Sequence, residues 1–414
     1  MARLSLSDHR HNLALNVFHE STWGFGIAFH DSATILPLFL IQLGAPLGVV
    51  GSLAGLFAVL FSFPQLISAL LGRNIRNIKA ATVGVHILIW PPIFIAGFTF
   101  AFIAPAGPSA WIFYYICFIF YALSIGFVLP IWGTFIREVT KRKNRGTFLG
   151  ISFVGNSIGG FAGGLAVKSL LTSRIPFPNN FGWGFLITFA SIAVGTLVFL
   201  GYRLRTKGKL KPHRSVHAFF AELKQILTQN KNFRAYLVSR IFLTAQMPAI
   251  SLYAVHAQMK FNFDISEAGL LTSAKVVAFG FGSFLGGKIG DRAGHKTGMV
   301  FASFCSLSAL IIALFSQSML WVYGIFIFLG LGQGAFMPCA LSLIYDFAGE
   351  KGDNKIYMAL IDSILAPFVL LGIILSGALA TFYGIEKIFI TIGLIFTVGI
   401  IILIVKVRDP QPEG

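Results

Sequence analysis

Charge and cysteine are what this chain has least of. Only 11% of its 414 residues are charged, and 15 acids stand against 32 Lys and Arg. A soluble domain carries about 25% charged residues, so a water-facing globular surface is excluded. The three cysteines, Cys117, Cys305 and Cys339, lie far apart inside apolar stretches. That leaves neither a disulfide framework nor a metal spacing, and reads as small core residues. Also missing are a phosphate-cradling Gly-Lys-Ser loop, a nucleophile elbow and paired metal ligands. No enzyme and no ATP-driven pump is expected, and no cofactor or metal. Energy has to come from an ion gradient or from the substrate's own.

What is present is apolar. The chain is 56% hydrophobic, with 44 Phe and 44 Gly, and its mean hydropathy is +0.80. This composition belongs to an integral membrane protein whose helices pack through small residues. Apolar segments run at roughly 13–43, 47–71, 80–104, 109–136, 146–172 and 182–203, and again at roughly 233–259, 266–288, 297–317, 319–346, 356–381 and 385–407. Each is long enough to cross a bilayer, which takes about 20 residues. The expected fold is therefore an all-α membrane protein of about twelve transmembrane helices in two six-helix bundles, 1–203 and 233–414, joined by a basic linker at 204–232. The start of the chain has no cleavable-signal pattern, since the first segment is too long and lacks a small-residue cleavage site.

The net charge of +17 invites a nucleic-acid reading, but the basic residues fall in loops on one side. Arg3, Arg10, Arg73, Arg76, Lys79, Arg137, Lys141, Arg142, Lys143, Arg145 and the cluster at 203–234 share that side, and Arg174, Lys260 and Lys387 lie opposite. The bias places both termini in the cytoplasm, with contact to anionic lipid and no nucleic-acid partner. Short loops fit a monomeric permease of a prokaryotic inner membrane. Within the linker, Val216, Phe219, Phe220, Leu223 and Leu227 have helical apolar spacing, so a short helix on the membrane surface is expected.

Gly126, Pro130 and Glu138 share their spacing with Gly334, Pro338 and Asp346, so the halves read as copies of one unit. Parallel repeats of this kind place a substrate site near the midplane. The most specific motif is Gly287-Lys288-Ile289-Gly290-Asp291-Arg292-Ala293-Gly294-His295-Lys296. It resembles the G-x-x-x-D-R-x-G-R/K-K loop of the major facilitator superfamily, with His295 as the departure. Arg145-Gly146, Gly44 and Gly51 resemble that family too, and the likeness covers essentially the whole chain. It implies two halves rocking about a midplane site, with Asp291 facing the start of the fifth membrane helix near Arg145, Gly146 and Thr147. An Asp there can accept helix N-terminal N–H groups and pair with Arg. The matching first-half loop, Leu71 to Lys79, has lost its acid and keeps only Arg73 in register with Arg292. Pseudosymmetry makes Asp346, Glu350 and Asp353 its expected partners, so the charge pattern reads as exchanged between the halves; ordinary loop charges are the alternative.

The first segment is unusual in holding Glu20, His30 and Asp31. Eleven residues at about 100° each bring Glu20 and Asp31 to one face of a continuous helix. Carboxylates there face a bundle interior or a watery cavity, since each costs at least about 2.5–3.5 kcal/mol in lipid. Asp31 and Glu20 are the candidate proton-coupling residues, Asp31 first; a static pair of Asp31 with Arg240 or Lys275 is the alternative. Asp31 stands six residues before Pro37, similar to drug/proton antiporters of the superfamily. Gly155-Asn156-Ser157-Ile158-Gly159-Gly160 resembles their G-P-x-x-G-G core with Asn156 for the proline, and close helix packing explains the same glycines equally. Arg240 can pair with Glu20 or bind an anion. Asn156, Lys275 and Asp362 are expected at the seam between halves, and Tyr121, Arg240, Gln246, Tyr253 and Gln333 in the substrate cavity, with His256 and the aromatics Tyr114, Tyr115 and Trp132 beside them. His86 reads as a hydrogen-bonded core residue.

The function these features imply is secondary transport of a small molecule, with protons as the coupling partner. Export of an amphipathic compound is the first reading. Uptake of a polar nutrient or metal chelate is the second, and a transport-inactive membrane receptor the third. If the charge pattern of the gate loops has been exchanged, Arg73→Glu impairs transport at least tenfold in whole cells; wild-type rates in that variant would leave Arg73 an ordinary loop charge.

Overall fold

In the computed structural model, residues 5–71, 75, 77–140, 145–204, 224–349 and 354–409 are described, and among them every regular element is helical. Eleven helical segments are long and apolar enough to cross a membrane. The first crossing is α1 (Leu6–Ala28) with α2 (Ile35–Gln42), set apart from the eleven by the many polar residues of α1 and the shortness of α2. Then follow α3 (Leu47–Leu71), the pair α4 (Ile78–Ile87) and α5 (Trp90–Phe98), α6 (Pro108–Val139), α7 (Arg145–Leu171) and α8 (Asn179–Val198). The second series is α9 (Lys231–Leu243) with α10 (Met247–Phe261), α11 (Glu267–Ala293), α12 (His295–Phe315), α13 (Met319–Ala348), α14 (Asn354–Tyr383) and α15 (Ile385–Lys406). Of the expected linker helix, residues 224–229 are helical; the stretch from 205 to 223 lies outside the described residues.

Three crossings are broken, each for a local chemical reason. Pro91 and Pro92 open α5 and Pro248 opens α10, at positions where a missing N–H costs no helical hydrogen bond. The first crossing breaks differently. Asp31 Oδ1 accepts hydrogen bonds from Ala33 N at 2.9 Å, Thr34 N at 3.1 Å and Thr34 Oγ1 at 3.0 Å. A short carboxylate thus takes up backbone donors that a continuing helix would leave unmet. The continuous helix expected over this stretch is therefore corrected: Asp31 lies in the break, and the shared face with Glu20 does not exist.

The described residues fall into two compact units. One comprises Met1–Ala45, Leu60–Pro212 and Asp264–Ser273; the other comprises Pro46–Val59, His213–Phe263 and Ala274–Gly414. In the first, α1 runs along α7 at close range. A Cβ at Gly159 would meet the Ser21 carbonyl, one at Gly163 the Phe25 carbonyl, and one at Gly24 the Asn156 carbonyl. Nearby, Phe39 packs on Phe100, Tyr114, Phe181 and Phe185 with ring centroids 4.9–5.2 Å apart. The second unit is built on Phe233, Tyr236, Leu343, Phe347 and Leu403.

Both units repeat the same devices. A Cβ at Gly126 of α6 would strike the Phe61 carbonyl of α3, and one at Gly334 of α13 the Phe279 carbonyl of α11. Asn12, near the start of α1, donates to Arg203 O at 2.7 Å and accepts from Arg203 N at 2.8 Å. Asn232, near the start of α9, does the same with Arg408 O at 2.7 Å and Arg408 N at 2.8 Å. In each series an amide ties the start of the first crossing to the chain leaving the last.

The α1–α7 contact yields a prediction. Gly159→Ala forces apart two helices whose backbones touch, and overpacking of this kind costs about 1–3 kcal/mol. Gly133, where an added Cβ would meet nothing within 4 Å, is the control, since Ala there gains about 0.5–1 kcal/mol of helix preference. In detergent the first variant is expected to melt several degrees below wild type and the second at or above it.

Candidate functional site

Glycine spacing on α7 creates the first feature of the site. Because Gly155, Gly159 and Gly163 let α1 approach to backbone contact, Asn156 reaches Glu20: its Nδ2 donates to Glu20 Oε2 at 3.2 Å. Glu20 is 6% exposed, and among the described residues no ion pair involves it. A neutral amide suits both forms of a carboxyl, since its N–H donates to the carboxylate and its carbonyl accepts from the acid. Asn156, expected at the seam, is thus engaged with Glu20 inside one unit. The tie is at the position where the resembled antiporters carry proline, a residue that could not make it.

Asp31 is 8% exposed and committed to its three local donors. Through Thr34 it is joined to α11, whose Thr272 hydroxyl lies 2.5 Å from the Thr34 hydroxyl. Two further contacts join α7 to this start of α11. Gly164 and Gly269 meet at backbone distance, and Lys168 Nζ bonds Glu267 Oε1 at 2.8 Å. Beside them, the Ser266 side chain and backbone N–H hold the Asp264 carboxyl below its ordinary value, with Lys168 adding attraction. Sequence reading missed the Lys168–Glu267 pair; its only trace was two opposite charges at the ends of apolar segments.

Of the aromatic residues proposed as cavity lining, Tyr115 and Trp132 are half-buried and Tyr114, Tyr121 and Tyr253 are closed in. Tyr114 is fully buried and its hydroxyl lies 3.0 Å from His30 Nε2. Tyr121 is 4% exposed and sits edge-on to His30 with centroids 4.5 Å apart. Tyr253, 2% exposed, packs on Phe389, and buried His256 points Nε2 at Ala313 O, 3.3 Å away. Tyr121 and Tyr253 therefore belong to packed cores, a correction to the expected cavity. His86 is a core residue as expected, its Nδ1 on Thr82 O at 2.7 Å.

Arg240, Gln246 and Gln333 keep solvent access. Arg240 lies 4.5 Å above the Phe336 ring and donates from Nη1 to the Tyr236 hydroxyl at 3.0 Å. This bond lies within the second unit. Its positive charge acts on Asp362 of α14. Lys275 is half-buried on α11, where its carbonyl is the contact point for Gly330 of α13.

The motif between α11 and α12 forms a tight turn. Gly294 has φ +88°, a left-handed value that disfavours other residues. Asp409, beyond α15, accepts Lys296 N at 2.8 Å, capping α12, and Lys296 Nζ reaches Ile404 O at 2.8 Å. His295 Nδ1 lies 2.7 Å from Asp346 Oδ2, so the residue that departs from the family pattern has a partner of its own. A Cβ at Gly290 would meet the His295 ring, whereas Gly287 faces open space. Asp291 and Arg292 are exposed. Arg145 opens α7; Arg73, Glu350 and Asp353 lie outside the described residues.

Residues 233–414 match the family model described as Major Facilitator Superfamily. The fold is similar over nearly the whole chain to a bacterial homolog of the human lysosomal transporter Spinster, inward-facing and unoccupied, at 14% identity and TM-score 0.70, covering 99% of this chain and 100% of that one. It is also similar to the nucleoside transporter NupG, at 12% identity and TM-score 0.67, covering 96% and 98%. A third likeness is to the E. coli fucose:proton symporter FucP, in a single-residue variant, at 14% identity and TM-score 0.64, covering 97% and 100%. No protein of curated function matches by sequence.

The Glu20–Asn156 contact is open to a double-mutant cycle. Glu20→Gln, Asn156→Leu and the double variant are expected to be non-additive in thermal stability by about 0.5–3 kcal/mol, the range for residues in contact; additive losses would place the two side chains apart.

Proposed function

We propose that the chain is a member of the Major Facilitator Superfamily, whose family model matches residues 233–414 and whose fold it resembles over nearly its full length, and that it is a proton-coupled secondary transporter of a small polar solute. Glu20 carries the proton. The observation behind this is a carboxyl 6% exposed within the first crossing, held by a neutral amide. Ionisable groups at such depth are costly and are retained at proton and substrate pathways. Asp31, the first candidate from sequence, is occupied as the cap between α1 and α2, which favours Glu20 for the mobile proton.

The solute meets Arg240, Gln246 and Gln333, whose side chains remain accessible while Tyr121 and Tyr253 do not. A guanidinium and two amides fit a polar nutrient better than an amphipathic drug, so uptake is preferred to export. The two features resembling antiporters support export less once placed: Asp31 caps a helix, and the glycines of α7 serve close packing. The exposed Asp291 and Arg292 fit the gate role that the motif implies. The basic loops favour a cytoplasmic position for both termini.

Proteoliposomes loaded with a pH-sensitive dye test this reading against sugars, organic acids, amino acids, peptides and lipophilic cations. One polar class is expected to drive proton entry, and Glu20→Gln to reduce that entry at least tenfold. Proton entry at wild-type rate in Glu20→Gln removes Glu20 from the path. An inert wild type across the whole panel favours the receptor reading.

A further inference from the structure

Two opposite charges on neighbouring helices of the second unit are left unjoined. Arg240 on α9 has five guanidinium N–H donors, and its one hydrogen bond among the described residues goes to Tyr236. Asp362 on α14 has no hydrogen bond to any described residue. The two helices pack together: Phe233 of α9 lies on Tyr357 of α14 with ring centroids 4.8 Å apart, and Tyr236 and Leu237 share a buried cluster with Leu360, Ile361 and Leu365. The guanidinium's charge acts on Asp362 across this contact, yet the two are farther apart than the 4.0 Å of an ion pair. Both side chains are partly exposed. Phe336 holds the guanidinium plane from one face at 4.5 Å, and Tyr236, fully buried against Phe347, holds it from another side. The arginine is therefore positioned before any ligand arrives, with spare donors in a planar fork that matches a carboxylate.

An isolated charge of either sign within a membrane segment is expensive, and a closed pair would be the cheaper arrangement. Holding the two apart makes sense where a third body closes the gap. An anion alone would satisfy Arg240 and be repelled by Asp362; a cation alone would meet the reverse. A molecule carrying both charges satisfies each, and singly charged analogues are disfavoured because they leave one of the two charges unmatched.

We propose that Arg240 and Asp362, with Phe336 and Tyr236 fixing the guanidinium, form a binding site for a small zwitterion, its carboxylate on Arg240 and its ammonium on Asp362. The site deepens the transport reading by naming the solute class, and it rests on that reading for its biological purpose, not for its chemistry.

The test is thermal stabilisation of the purified protein in detergent, with no proton gradient, so a failed proton-coupling assay leaves its result untouched. The probes are glycine, β-alanine, γ-aminobutyrate and 5-aminovalerate, which scan the distance between the two charges, with butyrate and butylamine as singly charged controls. At least one amino acid is expected to raise the melting temperature in a saturable way, and neither control to do so. Arg240→Gln and Asp362→Asn are each expected to raise the half-saturating concentration about tenfold or more, the loss of one charge-assisted contact. Arg240→Lys, which keeps the charge without the fork, is expected to fall between them and wild type, and serves if the neutral variant does not fold. Equal stabilisation by butyrate would make the site a plain anion receptor, and equal stabilisation by butylamine a plain cation receptor; either overturns the proposal. So does an unchanged response in Asp362→Asn, or no stabilisation by any of the four amino acids up to millimolar concentrations.

Discussion

A carboxyl placed in the hydrocarbon layer has no water to turn to, and the arrangement of α1 against α7 answers that constraint. Glu20 finds its partner only because the two backbones touch. Each glycine on α7 removes a side chain's width from the contact, and the amide of Asn156 then spans what remains. Any larger residue along this stripe would widen the gap beyond hydrogen-bond reach and leave the acid unpartnered. The small residues and the buried acid are thus one feature with two parts: packing supplies the distance, and the distance permits the charge.

Asp31 meets the same constraint in another way. It is satisfied by its own backbone, at the cost of the helix. Three donors converge on one oxygen, so the chain turns from α1 into α2 at the point where polar groups would otherwise be exposed to lipid. The Thr34 hydroxyl carries this local network on to Thr272, and Lys168 with Glu267 adds a charge pair farther along the same helices. A carboxyl that ends a helix is held by several bonds at once, whereas Glu20 is held by a single amide among the described residues. That difference separates the roles assigned to the two acids.

The duplicated devices show how a repeat is preserved when its sequence has drifted. Gly126 and Gly334 occupy equivalent contacts, and Asn12 and Asn232 make equivalent two-way bonds to the arginines that follow the sixth crossing of each series. These are places where geometry admits few residues: a backbone contact admits only glycine, and a paired donor and acceptor of matched reach calls for an amide. The charged loops, under looser constraint, have diverged. His295 and Asp346 form a pair in the second unit, while the first-half loop has kept arginine and lost the acid.

Composition and the spacing of apolar segments determined on their own that this is an all-helical membrane protein with about twelve crossings, because a bilayer imposes length and hydrophobicity on any chain that spans it. The repeated spacing of Gly126, Pro130 and Glu138 and the Asp291-Arg292 motif were legible for a related reason: tight contacts and tight turns restrict residue type at fixed positions. The helix break at Asp31, the tie between Asn156 and Glu20, the enclosure of Tyr121 and Tyr253 and the seating of Arg240 on Phe336 and Tyr236 were decided only by the tertiary structure. Helical periodicity assigns faces along an unbroken axis, and it cannot foresee a side chain that ends the helix. Nor does it say which of many aromatic or charged residues, distant in sequence, will face one another once the helices have packed.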